Sequence, residues 1–408
     1  MSITVEKMMQ PMKMTDKPII KAASRTGLVN EYYFSAKLAE IARMREQGID
    51  VINLGIGSPD LPPSPNVIEE LGRNASGIKN HGYQSYRGIP QLRKAFAAWY
   101  QKYFRVTLDA DTEILPLIGS KEGIMHISMA FLDPDDEVLV PDPGYPAYGA
   151  AAKLAGGIVR PYDLTSENGW MPDIKAIEAS GVEKVKMMWI NYPHMPTGTK
   201  ASTSLFESLT SFARRHSILL CNDNPYSFIL NNDHLSIFTI PGARDVALEL
   251  NSLSKSHNMA GWRIGMVAGN SLFINDVLKV KSNMDSGMFQ PLQAAAAEAL
   301  AAPDEWYARL NEVYLRRREK AAEIMNALSC TFDHEQAGLF LWGRIPERFG
   351  EAIELTEELL HDRHLFITPG SVFGNNGKRY IRISLCATEE ILEAALQRVM
   401  SNAKSNVN

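Results

Sequence analysis

The middle of the chain reads Val185-Lys186-Met187-Met188-Trp189-Ile190 and, after a helical pattern from Ser202 to His216, Ile218-Leu219-Leu220-Cys221. Short apolar runs bounded by polar residues are typical of strands that are buried on both faces. Two such strands joined through a helix form a right-handed crossover and lie parallel in one sheet. This stretch therefore predicts a βαβ unit.

The same alternation of short apolar runs and longer amphipathic segments continues on both sides of this unit. Further strands are predicted at Glu113 to Ile118, Glu137 to Val140, Ala247 to Leu250 and Ile264 to Val267, with a short one at Val51 to Leu54. Helices are predicted at Pro90 to Phe104, Lys121 to Phe131 and Ser271 to Ser282. The sequence thus predicts an α/β fold, a three-layer and mostly parallel sheet covered by helices.

The last third of the chain has a different order of elements. A long helical pattern from Asp304 to Leu328 precedes strand patterns at Leu339 to Trp342 and Tyr380 to Ser384, with a helix at Glu351 to Asp362 between them. We predict three parts. Residues 1–55 form an N-terminal segment that joins the small domain, residues 56–300 form a large domain, and residues 301–408 form a small α+β domain.

Composition and charge exclude several classes of protein. Of the 408 residues 45% are hydrophobic and 22% charged, which is ordinary for a globular protein and excludes a disordered chain. The formal net charge of −5 predicts no nucleic-acid or membrane partner. Three distant cysteines, Cys221, Cys330 and Cys386, suit a reducing compartment. Lysines interrupt the methionines of the first 30 residues, so we expect no secretory signal and a cytoplasmic location.

The segment Ser252-Leu253-Ser254-Lys255 is the first candidate for chemistry, with Arg263 eight residues beyond the lysine. A neutral lysine amine can attack a carbonyl group, and burial or nearby positive charge lowers the pKa of an amine. Arg263 and the hydroxyls could hold a phosphate. A surface lysine in a serine-rich turn explains the segment equally well at this point.

Two further segments could bind charged groups. Gly119-Ser120-Lys121-Glu122-Gly123 follows a predicted strand and opens a predicted helix, a position where free N–H groups bind anions. Asp223 ends the strand at Ile218 to Cys221, and a carboxylate buried there needs a cationic partner such as a protonated pyridine nitrogen. A plain turn and a capping aspartate are the alternatives.

In their order and spacing these segments resemble the class I/II aminotransferases, which are pyridoxal phosphate enzymes of fold type I. The resemblance extends from Asn53 to the last helix. It is carried by Leu54-Gly55-Ile56-Gly57-Ser58-Pro59-Asp60, Gly119 to Gly123, Pro143-Gly144-Tyr145-Pro146, Pro196-Thr197-Gly198, Asp223 to Tyr226, Ser252 to Lys255, and Arg382 in Ile381-Arg382-Ile383-Ser384.

The resemblance implies an enzyme of amino acid biosynthesis that moves an amino group from an L-amino acid to a 2-oxo acid. It implies that Lys255 forms the internal aldimine with pyridoxal 5'-phosphate and moves a proton on the way to the pyridoxamine form. Asp223 would keep the pyridine nitrogen protonated, and Tyr226 would bond the cofactor O3′. The other implied positions are Tyr145 on the ring, Ser120, Lys121, Ser252, Ser254 and Arg263 at the phosphate, Tyr83 at the phosphate of a neighbouring subunit in a homodimer, and Gly57, Arg382 and Tyr32 at the substrate.

One position departs from the family pattern. The family usually has asparagine before Pro-Thr-Gly, where its amide donates to O3′, and this chain has Met195. A thioether cannot donate a hydrogen bond. Our hypothesis is that Tyr226 alone, or a shifted His194, supports O3′, so that the internal aldimine holds its proton more tightly. A Met195→Asn change should then lower the pKa of the aldimine.

The substrate and several alternatives stay open at this stage. The segment Tyr32-Tyr33-Phe34 is similar to the subgroup of alanine, methionine and LL-diaminopimelate aminotransferases, and no arginine lies between Lys279 and Gln293 to read a distal carboxylate. A Cβ–S lyase on the same fold and a non-catalytic cofactor sensor are the other classes considered. We expect no metal site, and we expect Arg316-Arg317-Arg318 to be an exposed stripe of the long helix.

Overall fold

Thirteen strands and thirteen α-helices form the part of the chain that the computed structural model describes, residues 20–401. The strands are β1 (Ile52–Asn53), β2 (Ile114–Leu117), β3 (Glu137–Asp142), β4 (Ile158–Asp163), β5 (Val185–Ile190), β6 (Leu219–Asp223), β7 (Ala247–Ser252), β8 (Gly265–Gly269), β9 (Thr331–Phe332), β10 (Phe340–Arg344), β11 (Leu365–Phe366), β12 (Thr368–Pro369) and β13 (Tyr380–Ser384).

The helices alternate with these strands through the first 300 residues. They are α1 (Tyr33–Glu46), α2 (Pro65–Ala75), α3 (Pro90–Phe104), α4 (Ser120–Phe131), α5 (Pro146–Ala155), α6 (Ile174–Ala179), α7 (Thr203–His216), α8 (Leu253–Ser256), α9 (Ser271–Lys281), α10 (Gln290–Leu300), α11 (Asp304–Ala327), α12 (Ala352–Arg363) and α13 (Glu389–Met400).

The main sheet has seven strands in the order β2-β8-β7-β6-β5-β3-β4. Strand β8 runs antiparallel to both of its neighbours, and every other pair in this sheet is parallel. Helices cover both faces, which is visible within β5 itself. Met188 packs with Trp99 and Phe212 on one face, whereas the next residue, Trp189, packs with Tyr148 on the other. The predicted α/β fold with a mostly parallel sheet is confirmed.

The last third of the chain forms a four-stranded antiparallel sheet in the order β12-β13-β10-β9. Strand β1 pairs in parallel with β11, through Ile52 opposite Leu365 and Asn53 opposite Phe366, so the start of the described chain is tied to this smaller unit. The domain boundaries at residues 55 and 300 stay predictions. Residues 1–19, with the methionines and lysines of the N-terminal prediction, lie outside the described range.

Strand β4 is an element that the sequence patterns did not predict. It lies at the edge of the main sheet, next to β3 alone, and most of its side chains are at least partly exposed. Arg160 and Pro161 interrupt its apolar character. An edge strand tolerates both residues, because one of its sides needs no hydrogen-bond partner in the sheet.

Within residues 20–401, no helix has both the length and the apolar composition needed to cross a membrane.

Candidate active site

One cavity of about 570 Å³ lies where β6 and β7 end, beside the smaller unit. Ligands of open α/β sheets bind at the carboxyl ends of the strands. The cavity brings together all the side chains that the sequence predicts for the site except Tyr83, which is 92% exposed and does not line it. Those lining residues are Tyr32, Gly57, Ser120, Lys121, Tyr145, Asp223, Tyr226, Ser252, Ser254, Lys255, Arg263 and Arg382.

Lys255 projects into the cavity from the one-turn helix α8, directly after β7. Ser252 begins this helix, since its hydroxyl accepts a hydrogen bond from the N–H of Ser254 at 3.1 Å. The Lys255 Nζ donates to the carbonyl oxygen of Gly57 at 2.5 Å. Burial lowers the pKa of Lys255, and the guanidinium groups of Arg382 and Arg263 lower it further. A low pKa favours the neutral amine, which is the nucleophilic form.

An anion site lies beside the lysine, at the start of α4. Gly119 has φ = +81°, and a Cβ there would lie 2.3 Å from Nη2 of Arg263, so only glycine allows the guanidinium to approach this turn. The first N–H groups of α4 have no partner within the helix. The Ser252 Oγ donates to Ser254 Oγ at 2.8 Å, and Arg263 lies 3.5 Å from Ser254 Oγ. Together these groups form a cradle suited to a phosphate.

Asp223 is the last residue of β6, and it is buried and lines the cavity. Its Oδ2 accepts a hydrogen bond from the hydroxyl of Tyr148 at 2.9 Å. Its Oδ1 is buried and has no hydrogen-bond partner among residues 20–401. Burial raises the pKa of this carboxyl group to about 6. A buried oxygen without a partner suits a ligand that brings its own N–H group.

The raised pKa of Asp223 predicts a pH dependence of stability in the protein without cofactor. The folded state binds this proton more tightly than the unfolded chain, so the free energy of unfolding should fall as the pH rises from about 4 to about 6. Asp223→Asn removes the unfavourable burial of an ionised carboxylate at pH 7. It should therefore raise the free energy of unfolding at pH 7 by about 1–3 kcal/mol, since one pKa unit is worth ~1.4 kcal/mol. Urea unfolding at pH 4.5 and pH 7 measures the effect.

The exposed Asp233 is the control for this experiment. Asp233→Asn should change the free energy of unfolding equally little at both pH values. An Asp223→Asn protein that is no more stable than the parent at pH 7 would show that burial of this carboxylate carries no cost.

Arg382, on β13, is a buried cation without a carboxylate partner among the described residues. Its Nη2 donates to the carbonyl oxygen of Gly55 at 2.8 Å, and its Nη1 lies 3.3 Å from Sδ of Met195. Three aromatic rings also surround it. Its Cζ lies 3.8 Å from the ring centroid of Phe340, 4.6 Å from that of Phe373 and 5.5 Å from that of Phe34. Burial lowers the pKa of Arg382 to about 10. The guanidinium is therefore available to pair with a ligand carboxylate.

Gly57 must be glycine for steric reasons. A Cβ at this position would lie 2.2 Å from the ring of Phe340, and one at Gly55 would lie 2.3 Å from the ring of Phe366. These close approaches place the carbonyl groups of both glycines against Lys255 and Arg382.

Lys121 and Tyr32 also line the cavity. The Lys121 Nζ lies 4.6 Å from the centroid of the Tyr32 ring, a cation–π contact. The side chain thus lies against the tyrosine, while the N–H of Lys121 belongs to the first turn of α4 beside the anion cradle. Burial raises the pKa of Tyr32.

Tyr148 and Asn191 are among the residues of the site that the sequence did not predict. Tyr148 stacks on Trp189, with ring centroids 4.9 Å apart, and this fixes its hydroxyl against Asp223. Its only signal is its position one helical turn after Tyr145. Asn191 donates from Nδ2 to the main-chain oxygen of Asp223 at 2.5 Å and accepts from the N–H of Met195 at 2.8 Å. It therefore joins the loop after β5 to the end of β6.

The position of His194 bears on the Met195 hypothesis. Its Nδ1 lies 2.8 Å from Oγ1 of Thr197, and the side chain does not line the cavity. Tyr226 does line it. Of the two partners suggested for the cofactor O3′, the arrangement therefore favours Tyr226.

A lysine amine, a phosphate cradle and a buried carboxylate oxygen that no residue from 20 to 401 contacts by a hydrogen bond fit pyridoxal phosphate. With this fold they define a pyridoxal-phosphate-dependent transferase of fold type I. The chain belongs to the class I and II aminotransferases, whose family model matches residues 49–399.

Relatives with known names or structures are similar to this chain over nearly its full length. An LL-diaminopimelate aminotransferase of Dehalococcoides mccartyi is 40% identical over 95% of this chain and 100% of its own. One from Oleidesulfovibrio alaskensis is 41% identical over 93% and 98%. Among solved structures, substrate-bound BacF from Bacillus subtilis has a TM-score of 0.90 and 32% identity, covering 93% of this chain and 97% of that one. A mutant aspartate aminotransferase of Thermus thermophilus has a TM-score of 0.86 and 26% identity, covering 93% and 99%.

The protein is therefore a pyridoxal-phosphate-dependent aminotransferase that transfers an amino group between amino acids and 2-oxo acids. The comparisons give no support to the lyase alternative.

Proposed function

We propose that this cavity holds pyridoxal phosphate on Lys255. Asp223, Tyr226 and Arg263 would bind the cofactor, and Arg382 would bind the substrate whose amino group is transferred. The observation that carries the proposal is that the buried Asp223, whose Oδ1 has no hydrogen-bond partner among the described residues, lines the same cavity as Lys255. When bound, pyridoxal phosphate supplies an electron sink for the pair of electrons left on the substrate Cα.

The residues of the chain then have distinct tasks. Lys255, whose pKa is lowered by burial, would take the proton from the substrate Cα and deliver it to C4′ of the cofactor. Asp223 would keep the ring nitrogen protonated, and Tyr226 would donate to the ring oxygen. Arg263 and the hydroxyls of Ser252 and Ser254, with Ser120 and the N–H of Lys121, would hold the phosphate. Tyr145 would cover the ring.

The substrate α-carboxylate pairs with Arg382. The guanidinium can offer two parallel N–H donors, which a lysine cannot reproduce. Phe340 and Phe373 keep water away from this pair and so strengthen it. The backbone at Gly57 and the ring of Tyr32 complete the substrate side of the cavity.

We propose LL-diaminopimelate, or an amino acid similar to it, as the amino donor, and hence a role in amino acid biosynthesis. The relatives at 40% and 41% identity carry that substrate in their names. The Lys121 ammonium group on the cavity wall could pair with a polar group at the far end of such a donor. No arginine lies between Lys279 and Gln293 to serve a dedicated aspartate enzyme.

A panel of amino donors tests the proposed function. LL-diaminopimelate, glutamate, alanine, methionine and aspartate are each incubated with the holoenzyme, with and without 2-oxoglutarate. We expect LL-diaminopimelate to give the highest kcat/KM and turnover to require the acceptor. Release of ammonia and a 2-oxo acid without an acceptor would instead indicate a lyase. A panel led by aspartate would contradict the substrate assignment.

We also propose that the enzyme is a cytoplasmic homodimer. Tyr83 is 92% exposed, and Ile78 and Tyr86, which lie close to it in the sequence, are exposed as well. A second copy could cover these side chains and place the partner's Tyr83 near the cofactor phosphate. All three cysteines are free thiols, as suits the cytoplasm. A mass in solution equal to one chain would rule out the dimer.

A further inference from the structure

Arg317 and Asp60 form an ion pair that joins the small unit to the loop after β1. Arg317, on α11, is 3% exposed, so the expectation that all three arginines 316–318 form an exposed stripe is wrong at this position. Its Nη1 donates to Oδ1 of Asp60 at 2.7 Å and its Nη2 to Oδ2 at 2.8 Å, a bidentate geometry. Nη1 also lies 3.2 Å from the carbonyl oxygen of Leu385.

The loop that this pair fixes carries two carbonyl groups of the site. We name residues 53–60 the carbonyl segment, because the Gly55 oxygen accepts from Arg382 and the Gly57 oxygen accepts from Lys255. The start of the segment is held by the pairing of β1 with β11 and by the N–H of Ser384, which donates to the Leu54 oxygen at 2.8 Å.

The two carbonyl groups are not held equally. Gly55 also accepts from the hydroxyl of Thr368 at 2.9 Å, and its N–H donates to the side chain of Asn53 at 3.0 Å. Gly57 lies two residues further on, and Asp60 is the side chain that fixes the segment beyond it. The ion pair with Arg317 therefore fixes mainly the position of the Gly57 carbonyl group, which accepts the hydrogen bond from the Lys255 amine.

We propose that Asp60 and Arg317 are positioning residues for Lys255. The inference rests on the proposed function, in which Lys255 is the lysine that reacts. Neither side chain lines the cavity, so both act through the Gly57 carbonyl group. A misplacement of about 1 Å at a reacting group can lower a rate by about 100-fold. The pair thus links the small unit to the reactivity of one amine.

A double variant of Asp60 and Arg317 separates an effect on the position of Lys255 from an effect on the stability of the fold. Loss of one partner alone, as in Arg317→Met, leaves a buried charge unpaired and destabilises the fold, whereas replacing both partners by apolar residues often restores stability. We therefore expect Asp60→Leu/Arg317→Met to unfold close to the parent temperature. Its kcat should stay about 10- to 100-fold low, with KM for the amino donor changed less than about threefold.

Capture of added pyridoxal phosphate by the cofactor-free protein is the second readout. The Gly57 carbonyl group accepts from the ammonium form, so its loss should shift the pKa that governs capture downward by about 0.5–1 unit. Hydrogen exchange should rise within residues 55–60. A double variant that regains kcat and the parent capture profile together with stability would reduce the pair to a structural role and overturn the proposal.

The matched control lies one residue away on the same helix. Arg316 pairs with Glu389 at 2.8 Å, but the two side chains are 52% and 38% exposed. The double variant Arg316→Met/Glu389→Leu should leave kcat and the capture profile unchanged. If the parent protein itself fails to attach the cofactor to Lys255, the proposed function has failed, and that result is distinct from a normal capture profile in the Asp60/Arg317 double variant.

Discussion

Lys255→Ala should abolish amino-group transfer and the visible absorption band that bound pyridoxal phosphate gives with a lysine. The general acid–base role alone accounts for a loss of up to about 10⁴-fold in kcat, and the loss of covalent attachment adds to it. The fold should survive, because the change removes an amine from a cavity wall. Absorption spectra and single-turnover assays on the purified variant measure both effects.

Lys121 is the matched control, since it is the other lysine that lines the same cavity. Lys121→Ala should keep the absorption band, because its amine contacts the Tyr32 ring. The assignment fails if Lys255→Ala keeps the band and Lys121→Ala loses it.

Arg382→Lys should lower kcat/KM for every α-amino acid by roughly 10²–10³-fold. Lysine keeps the positive charge but cannot donate two parallel hydrogen bonds to a carboxylate. Loss of that geometry in a water-poor site is worth about 3–4 kcal/mol, which corresponds to this factor. The absorption band of the bound cofactor should be unchanged, because the lysine and the phosphate cradle stay intact. Steady-state kinetics with several donors measures the loss.

An arginine on the neighbouring strand provides the comparison. Arg344, on β10, is 49% exposed and pairs with Glu347 at 3.0 Å. Arg344→Lys should leave kcat/KM within about twofold. A similar loss for amines that lack the α-carboxylate, measured on Arg382→Lys, would mean that Arg382 acts on the fold rather than on the substrate.

The sequence predicted best those elements whose residues all share one environment. Strand β5 is buried along nearly its whole length, so its apolar run marks both of its ends, and Val185–Ile190 was predicted without error. The cavity residues were predicted because the family motifs lie at the ends of such strands, as Asp223 does on β6 and Ser252 on β7.

Contacts between distant parts of the chain could not be predicted from one sequence. Arg317 and Asp60 are 257 positions apart, and a charge in a long helix is usually solvated. The need for glycine at position 57 comes from the Phe340 ring, which belongs to a strand far along the chain. Tyr148 owes its role to stacking on Trp189. Each of these depends on tertiary packing, which leaves no local pattern.

Met195 is a position that the sequence marked as unusual but whose contacts only the structure shows. Its sequence position marked a departure from the family, and the structure adds that its sulfur lies 3.3 Å from Arg382. The thioether cannot donate to the cofactor, so Tyr226 is left as the side chain proposed for the ring oxygen. The effect on the pKa of the bound cofactor stays a prediction.

Borohydride reduction of the holoenzyme, followed by digestion and mass spectrometry of the pyridoxyl peptide, tests whether Lys255 carries the cofactor. Reduction converts the link between the cofactor and its lysine into a stable bond. We expect the added mass on the peptide that contains Ser252-Leu253-Ser254-Lys255, at Lys255. The mass on Lys121 or another lysine, or a fully loaded enzyme without any labelled peptide, would rule out Lys255 as the residue that binds the cofactor covalently.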